Sequence, residues 1–182
     1  MLSTALAGIT TLLLAAPVTF DLDQAKSTVT YTVIHKLHHV EGVNKKLEGK
    51  ARRLDDGTVQ AAVRAFVKEF DSGNGNRDEH MMETVEVAKF PAVTVKATLK
   101  EADPAQKTYK TEASCEVTMH GAPQTVKMPV EVTYDDAGKA HVTGSFTVSL
   151  DAFKIQRPAL LFVPVDDAMK VDVNLWFTRS SG

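Results

Sequence analysis

Arg77, Asp78, Glu79 and His80 stand consecutively, and a cation, two carboxylates and an imidazole are the residue types of acid–base catalysis or metal binding. Their spacing argues against both. Consecutive residues on a helix point in different directions and cannot converge on one atom. A zinc helix would need its second histidine at position 84, which is Thr84. His35, His38 and His39 form a second group that could assemble a metal site with His80. Nothing in the spacing requires it, because His35 and His38 on one strand would fall on opposite faces, and a surface loop is the expected place for His38 and His39. The chain has no Gly-x-Ser-x-Gly elbow, no Walker loop and no dinucleotide fingerprint. An enzyme is therefore not expected, a hydrolase built on His80 and a carboxylate included. Cys115 is the only cysteine, which excludes an intramolecular disulfide. Apolar residues share its strand face, as suits a small buried side chain better than a reactive thiol.

The Arg77–His80 run needs a helix to carry it. Asn76 followed by Glu79 resembles a capping box, and Asp78 and Glu79 suit the positive end of the helix dipole. Met81 and Val85 share a face, and Pro91 requires the helix to end before it. One short helix is expected at about 77–88.

Around that helix the sequence alternates with period two. Thr28–His35 sets Val29, Tyr31 and Val33 against threonines, and residues 109–119, 126–134, 142–150 and 171–178 repeat the pattern. Weaker strands are expected at 45–54, 58–67 and 93–100. Asp55-Asp56-Gly57 suits a tight hairpin; Gly121-Ala122-Pro123 and Asp135–Gly138 punctuate further along. One wet face and one apolar face per strand imply antiparallel pairing. About eight strands can close into a barrel or stack as a two-sheet sandwich, and periodicity leaves both open.

With 182 residues, 43% hydrophobic and 24% charged, the chain has the make-up of one ordinary globular domain. A net charge of −2 with interspersed signs gives no footprint for nucleic acid. The uncharged opening run to Phe20 is too short to insert stably in a bilayer and reads either as a signal peptide over about residues 1–19 or as a first strand or apolar tail that is retained. Residues 20–182 are left as the domain.

Longer stretches carry a resemblance. "FDLDQAKSTVTYTVIHKLHHVEG" followed by "FDSGNGNRDEHMMETVEVAKFPAVTVKA" resembles the YceI-like family of lipocalin-like, polyisoprenoid-binding proteins. The matching positions are Asp23, Ser27, Val29, Tyr31, His35, Gly42, Arg77, Asp78, His80, Phe90 and Pro91, and the Arg-Asp-x-His plus aromatic-Pro pairing is the most specific part. "VTMHGAPQTVKMPVEV" and "GSFTVSLDAFKI" extend the likeness, which spans roughly residues 20–178. Val43 departs from it, standing where an aromatic is usual.

The resemblance implies an all-β, antiparallel, lipocalin-like extended barrel of about eight strands with one short helix, exported to the periplasm or secreted. It also implies non-enzymatic binding, transport or storage of a long-chain amphiphile in the interior: a polyisoprenoid, an isoprenoid quinone or a fatty-acid derivative. On that reading no cofactor beyond such a lipid is expected, the partner is a hydrophobic small molecule, and a homodimer is left open. The alternative is a metal- or haem-binding periplasmic protein using His35 and its neighbours.

Strand parity nominates Tyr31, Val33, Phe66, Val95, Met119, Phe146 and Phe177 as wall residues, although they would equally line a dry core. His35 shares the parity of Tyr31 and Val33, so it should bond a carbonyl or Asp78, or stand beside a ligand head. Leu160 and Phe162, in "RPALLFVPVDD", belong either to an edge strand with Pro164 at a bulge or to an apolar rim over a ligand entrance. Arg77, Asp78 and His80 are expected to pin the helix to the barrel.

Overall fold

The computed structural model of the chain describes residues 17–36, 38–101, 106–135, 137–160 and 163–180. The strands run β1 (Val18–Leu22), β2 (Thr28–His35), β3 (His38–Asn44), β4 (Leu47–Arg53), β5 (Thr58–Phe66) and β6 (Phe70–Asp71). After helix α1 (Gly75–Thr84) come β7 (Ala92–Lys100), β8 (Thr108–Met119), β9 (Ala122–Tyr134) and β10 (Ala140–Ser149). A two-strand hairpin, β11 (Ala159–Leu160) and β12 (Val163–Pro164), precedes β13 (Ala168–Arg179).

Eight of these strands close on themselves in the order β1-β4-β5-β7-β8-β9-β10-β13, with β13 returning to β1, and all the pairs are antiparallel. The architecture is a closed barrel, not a sandwich. The last turn of the ring is shared. β13 pairs through Met169–Asn174 with β2 and through Phe177–Arg179 with β1. Those two strands thus lie end to end along one edge of β13. The bend between them is locked by Ser27, whose hydroxyl donates to the Asp23 carbonyl at 2.8 Å and accepts the Trp176 N–H at 2.9 Å. β3 and the short β6 extend the wall beyond β2, at the end of the barrel where α1 sits.

Alternation fixes which side chains face inward. On β8, Tyr109, Ala113, Cys115, Val117 and Met119 are buried while Lys110, Glu112, Ser114 and Glu116 are exposed. Outside, opposite charges face each other across strands, as in Lys96–Glu116 and Lys110–Glu131, directly paired in register. Such exposed pairs contribute little to stability. Burial raises the Cys115 thiol to about 11, which leaves it protonated and inert.

Several expected bounds shift. The strand segment expected at 45–54 forms as β4 and β1 takes up the last residues of the opening run, but β3 was not anticipated: His38 and His39 sit on β3, paired across a hairpin from His35 and Ile34, not in a surface loop. The helix starts two residues early. Gly73 turns the chain at φ +73°, and Asn74, not Asn76, caps the helix by accepting the Arg77 N–H at 3.2 Å. Of the described residues in 157–167, Ala159–Leu160 and Val163–Pro164 pair as the separate two-stranded β11–β12 sheet and not as part of the barrel sheet. The opening apolar run, up to residue 16, lies outside the described residues.

The end of the barrel away from α1 is shut by a feature the alternation did not flag. Inward-facing Arg53 and Glu101, on β4 and just past β7, meet at 2.6 Å between Nε and Oε2, with the Glu101 carboxylate 2% exposed. The Tyr109 and Tyr134 rings pack beside them, 6.4 Å apart. A buried carboxylate stripped of its partner is left uncompensated. Arg53→Met should therefore lower unfolding free energy by about 3 kcal/mol, whereas Arg53→Met with Glu101→Leu should recover most of the loss. Urea denaturation of the three proteins checks this; a single variant as stable as the parent would show that the pair is not holding that end.

Candidate functional site

The ring encloses a cavity of about 510 Å³ with an almost wholly apolar wall, inside the size range of small-molecule sites. Valine and alanine dominate: Val59, Ala61, Val63 and Ala65 from β5 face Val93, Val95, Ala97 and Leu99 from β7. Small and β-branched side chains keep the strands regular without reaching the axis, so the interior stays open. Phe146, Leu175, Phe177 and the β2 residues Val29, Tyr31 and Val33 line the opposite wall.

At the open end the helix turns one face inward. Arg77, His80, Met81, Thr84 and Val85 line the cavity, the spacing of one helical stripe. Met81 and Val85 supply apolar surface; Arg77 and His80 remain exposed to solvent. Two groups clasp the loop before the helix. The Arg77 guanidinium donates to the Ser72 carbonyl at 2.9 Å, and Asp78 Oδ1 accepts the Ser72 N–H at 3.0 Å. His80 stands outside that clasp, 3.8 Å from Glu83 on the helix surface.

The segment after the helix is pinned differently. Phe90 packs edge-on against His120 at 4.6 Å and lies over Gly121, where an added Cβ would come within 2.7 Å of its ring. At the neighbouring wall Gly42 has the same role for Tyr31: any Cβ there would overlap the phenol ring. Tyr31 also packs on Phe70, centroids 5.4 Å apart.

Of the residues nominated from sequence, Tyr31, Val33, His35, Val95, Met119, Phe146 and Phe177 all line the cavity. Phe66 does not. The inward set on β5 is Val59, Ala61, Val63 and Ala65, so Phe66 has the opposite parity and lies on the outer face beneath the Arg64 guanidinium. Phe162 and the Leu160 side chain lie outside the described residues; their neighbours Pro158, Ala159 and Val165 line the cavity. His35 Nε2 is bonded to the Val163 carbonyl at 3.0 Å, which ties β2 to the β11–β12 hairpin. Among the described residues no three His, Cys, Asp or Glu side chains converge to hold a metal ion. His120, in the β8–β9 turn, is a cavity residue that the sequence reading passed over.

Residues 20–177 match the model of the YceI-like domain. No curated protein is detectably similar in sequence. The fold recurs in a polyisoprenoid binding domain from Saccharophagus degradans implicated in plant cell wall breakdown, with TM-score 0.73 and 15% identity over 90% of this chain and 99% of that one. It recurs in BcnA of Burkholderia cenocepacia, with TM-score 0.71 and 20% identity over 86% and 99% of the two chains. The Campylobacter jejuni YCEI protein is similar as well, with TM-score 0.61 and 15% identity over 82% and 90%. At these identities the likeness is one of fold.

The three tyrosines report on burial at both ends of the cavity. Burial pushes the Tyr31 phenol from 10.0 up to about 12, with the Asp78 charge adding to the rise and Arg77 opposing it. Burial raises Tyr109 and Tyr134 too. A folded-state value above the unfolded one favours the neutral phenol, so this contribution is complete below pH 10 and is lost as pH climbs toward about 12. The native protein should show little tyrosinate absorbance in that window, while the urea-unfolded chain ionises near pH 10. Unfolding midpoints should fall over the same window. A native titration centred near pH 10 would show these phenols to be solvated.

Proposed function

The chain belongs to the YceI-like family, and from that membership we propose that it binds the apolar chain of an amphiphilic lipid inside its barrel, without chemical turnover. The observation that carries the reading is the interior itself: a cavity of about 510 Å³, apolar along its length, shut by an ion pair at one end and bordered by polar side chains at the other. Catalysis would need converging reactive groups; His35 is engaged with a backbone carbonyl and His80 is solvent-exposed. The recurrence of the fold in a polyisoprenoid binding domain is in keeping with a lipid guest, and a fatty-acid or quinone chain meets the same walls. Export to the periplasm, as in the family, belongs to the same proposal.

The driving force is burial. Each methylene moved from water to this wall gains about 0.8 kcal/mol, so ten of them offset association costs and leave micromolar binding within reach.

Native mass spectrometry of the purified protein, followed by organic extraction and lipid identification, is the direct test. It should find a retained lipid or uptake of added alkyl chains at one per barrel. Filling the space provides the control. Ala61 and Ala97 face each other in register on β5 and β7. Replacing both with phenylalanine should abolish lipid uptake and leave stability equal or higher, because the new rings enter open space. In a filled core the same change would cost about 1–3 kcal/mol per site, and that outcome would sink the carrier reading.

A further inference from the structure

One stretch of the barrel wall is not held by strand pairing. β8 pairs with β9 from Thr108–Thr133 to Met119–Ala122, and β10 pairs with β13 from Ala140–Phe177 to Ser149–Ala168. Between β9 and β10 the ladder covers only Val130–Tyr134 and Ala140–Gly144. Residues 122–129 and 145–149 carry no ladder between them. Pro129 supplies the reason. A Cβ added at Gly144 would lie 3.0 Å from the Pro129 carbonyl oxygen, so that edge of Pro129 faces β10, and its nitrogen has no hydrogen to donate there. Exposed Pro123, Lys127 and Pro129 give this part of β9 the make-up of a sheet edge.

The segment that follows β10 fills the gap. Leu150, Phe153 and Ile155 are buried, and Leu150 and Ile155 complete the cavity wall between Met128 of β9 and Val148 of β10. The amides of Phe153, Lys154 and Ile155 bond back to Leu150 and Asp151, and that of Leu150 bonds to Asp167. Among the described residues, the segment is tied to β9 and its turn by two side chains. Gln124 Nε2 donates to the Ala152 carbonyl at 3.1 Å, and His120 Nδ1 donates to the Phe153 carbonyl at 3.0 Å.

Both banks of this join hold a bulky residue in the left-handed region, His120 at φ +50° and Lys154 at φ +58°. Backbone conformations of that kind gather at clamps and switching segments. Parting the seam breaks the two side-chain bonds and no ladder bond. It uncovers Phe153 and Ile155, apolar surface that an arriving alkyl chain covers in turn. The unpaired stretch lies at the helix end of the barrel, because His120 also packs against Phe90 at 4.6 Å, the anchor of the segment after α1.

We propose that the β9–β10 seam is the entry portal of the barrel: residues 150–155 move outward as one piece, and an apolar chain passes sideways between Met128 and Val148 into the cavity. The inference rests on the lipid-binding reading and adds the route by which the guest arrives. A side entrance lets the chain slip in along its length, with α1 still clasped at Ser72. The portal acts on rates alone, since the closed wall is the same before and after passage, so uptake and release change together and the affinity does not.

The test clamps the seam. Gln124→Cys with Ala152→Cys places a thiol on each bank, to be bridged by dibromobimane; buried Cys115, its thiol pushed up to about 11, does not react. Delipidated protein is mixed with cis-parinaric acid, whose fluorescence rises as its chain leaves water, and uptake and release are followed by stopped flow. Bridging should slow both about tenfold or more, while occupancy after long incubation, read by native mass spectrometry, equals the parent's. Gln124→Ala, which removes one of the two ties, should speed both about fivefold, the scale of one hydrogen bond. In the unmutated protein, the amides of Phe153, Lys154 and Ile155 should exchange with deuterium faster than those of the β10–β13 ladder, a readout that needs no variant. Unchanged rates in the bridged protein, slowing shared by single-cysteine proteins carrying the same reagent, or equal amide protection overturns the portal and leaves the lipid reading intact. Failure of the parent to bind the probe overturns the two together.

Discussion

Closure of the ring is the constraint on which the rest depends. In a sandwich, two sheets bring their apolar faces together and fill the gap between them. Here β13 bonds to β10 on one edge and to β1 and β2 in succession on the other, so the sheet meets itself and has no second layer to pack against. Inward side chains must then reach one another across the barrel axis or leave space. The alanines of β5 and β7 at positions 61, 65 and 97 leave space. Hydrogen bonds between strands, not contacts across the middle, hold the walls apart. The sequence can therefore use small side chains inside without collapse, and the sharing of β13 allows β2 and β3 of the same sheet to lengthen the wall at the helix end.

The two ends of the tube are built on different chemistry. One is shut by Arg53 and Glu101 with two tyrosines, an arrangement that loses much if either charge is removed. The other is covered by a ten-residue helix that has no fully buried side chain and rests on the loop clasp at Ser72 and the Phe90 anchor at Gly121. The clasp answers what the Arg77–Asp78 pair is for: both side chains act on one backbone unit, holding the loop that aims the helix. Elements with little buried apolar surface open at the lowest free energy. On the proposed reading a guest enters at the helix end, not at the charged one.

Much of the barrel was legible from period-two alternation, and the places where it was not have physical reasons. β8, β9, β10 and β13 alternate large apolar and polar residues over many positions, so their faces are unambiguous. Family likeness, not periodicity, separated barrel from sandwich. On β5 the inward alanines are weakly apolar, and the larger Phe66 drew the assignment to the wrong face. In β3 the inward positions include Gly42, whose role is to admit the Tyr31 ring, so no alternation showed and the segment read as a loop. Asn76 has the capping-box spacing to Glu79 that Asn74 lacks, and Gly75 disguises the first helical position. Arg53 and Glu101 are 48 residues apart, and each resembles an ordinary charge at a strand end until closure brings them together. His120 carries no periodic signal, since a turn residue has no face to belong to.

Burying an apolar chain against an apolar wall is favourable, so on the proposed reading an occupied interior is favoured over an empty one. A barrel selected only for rigidity would gain by exchanging Ala61 and Ala97 for larger residues, with no change in strand pairing. Keeping them small makes sense where the same free energy is recovered by a guest. On the proposed reading the guest is apolar over most of its length, matching an almost wholly apolar wall, and its polar groups lie at the helix end, where Arg77, His80, Thr84 and His120 stand. Hollow walls, one guarded end and a run of polar groups at the other are the features that this reading uses to select the kind of molecule and the direction in which it lies.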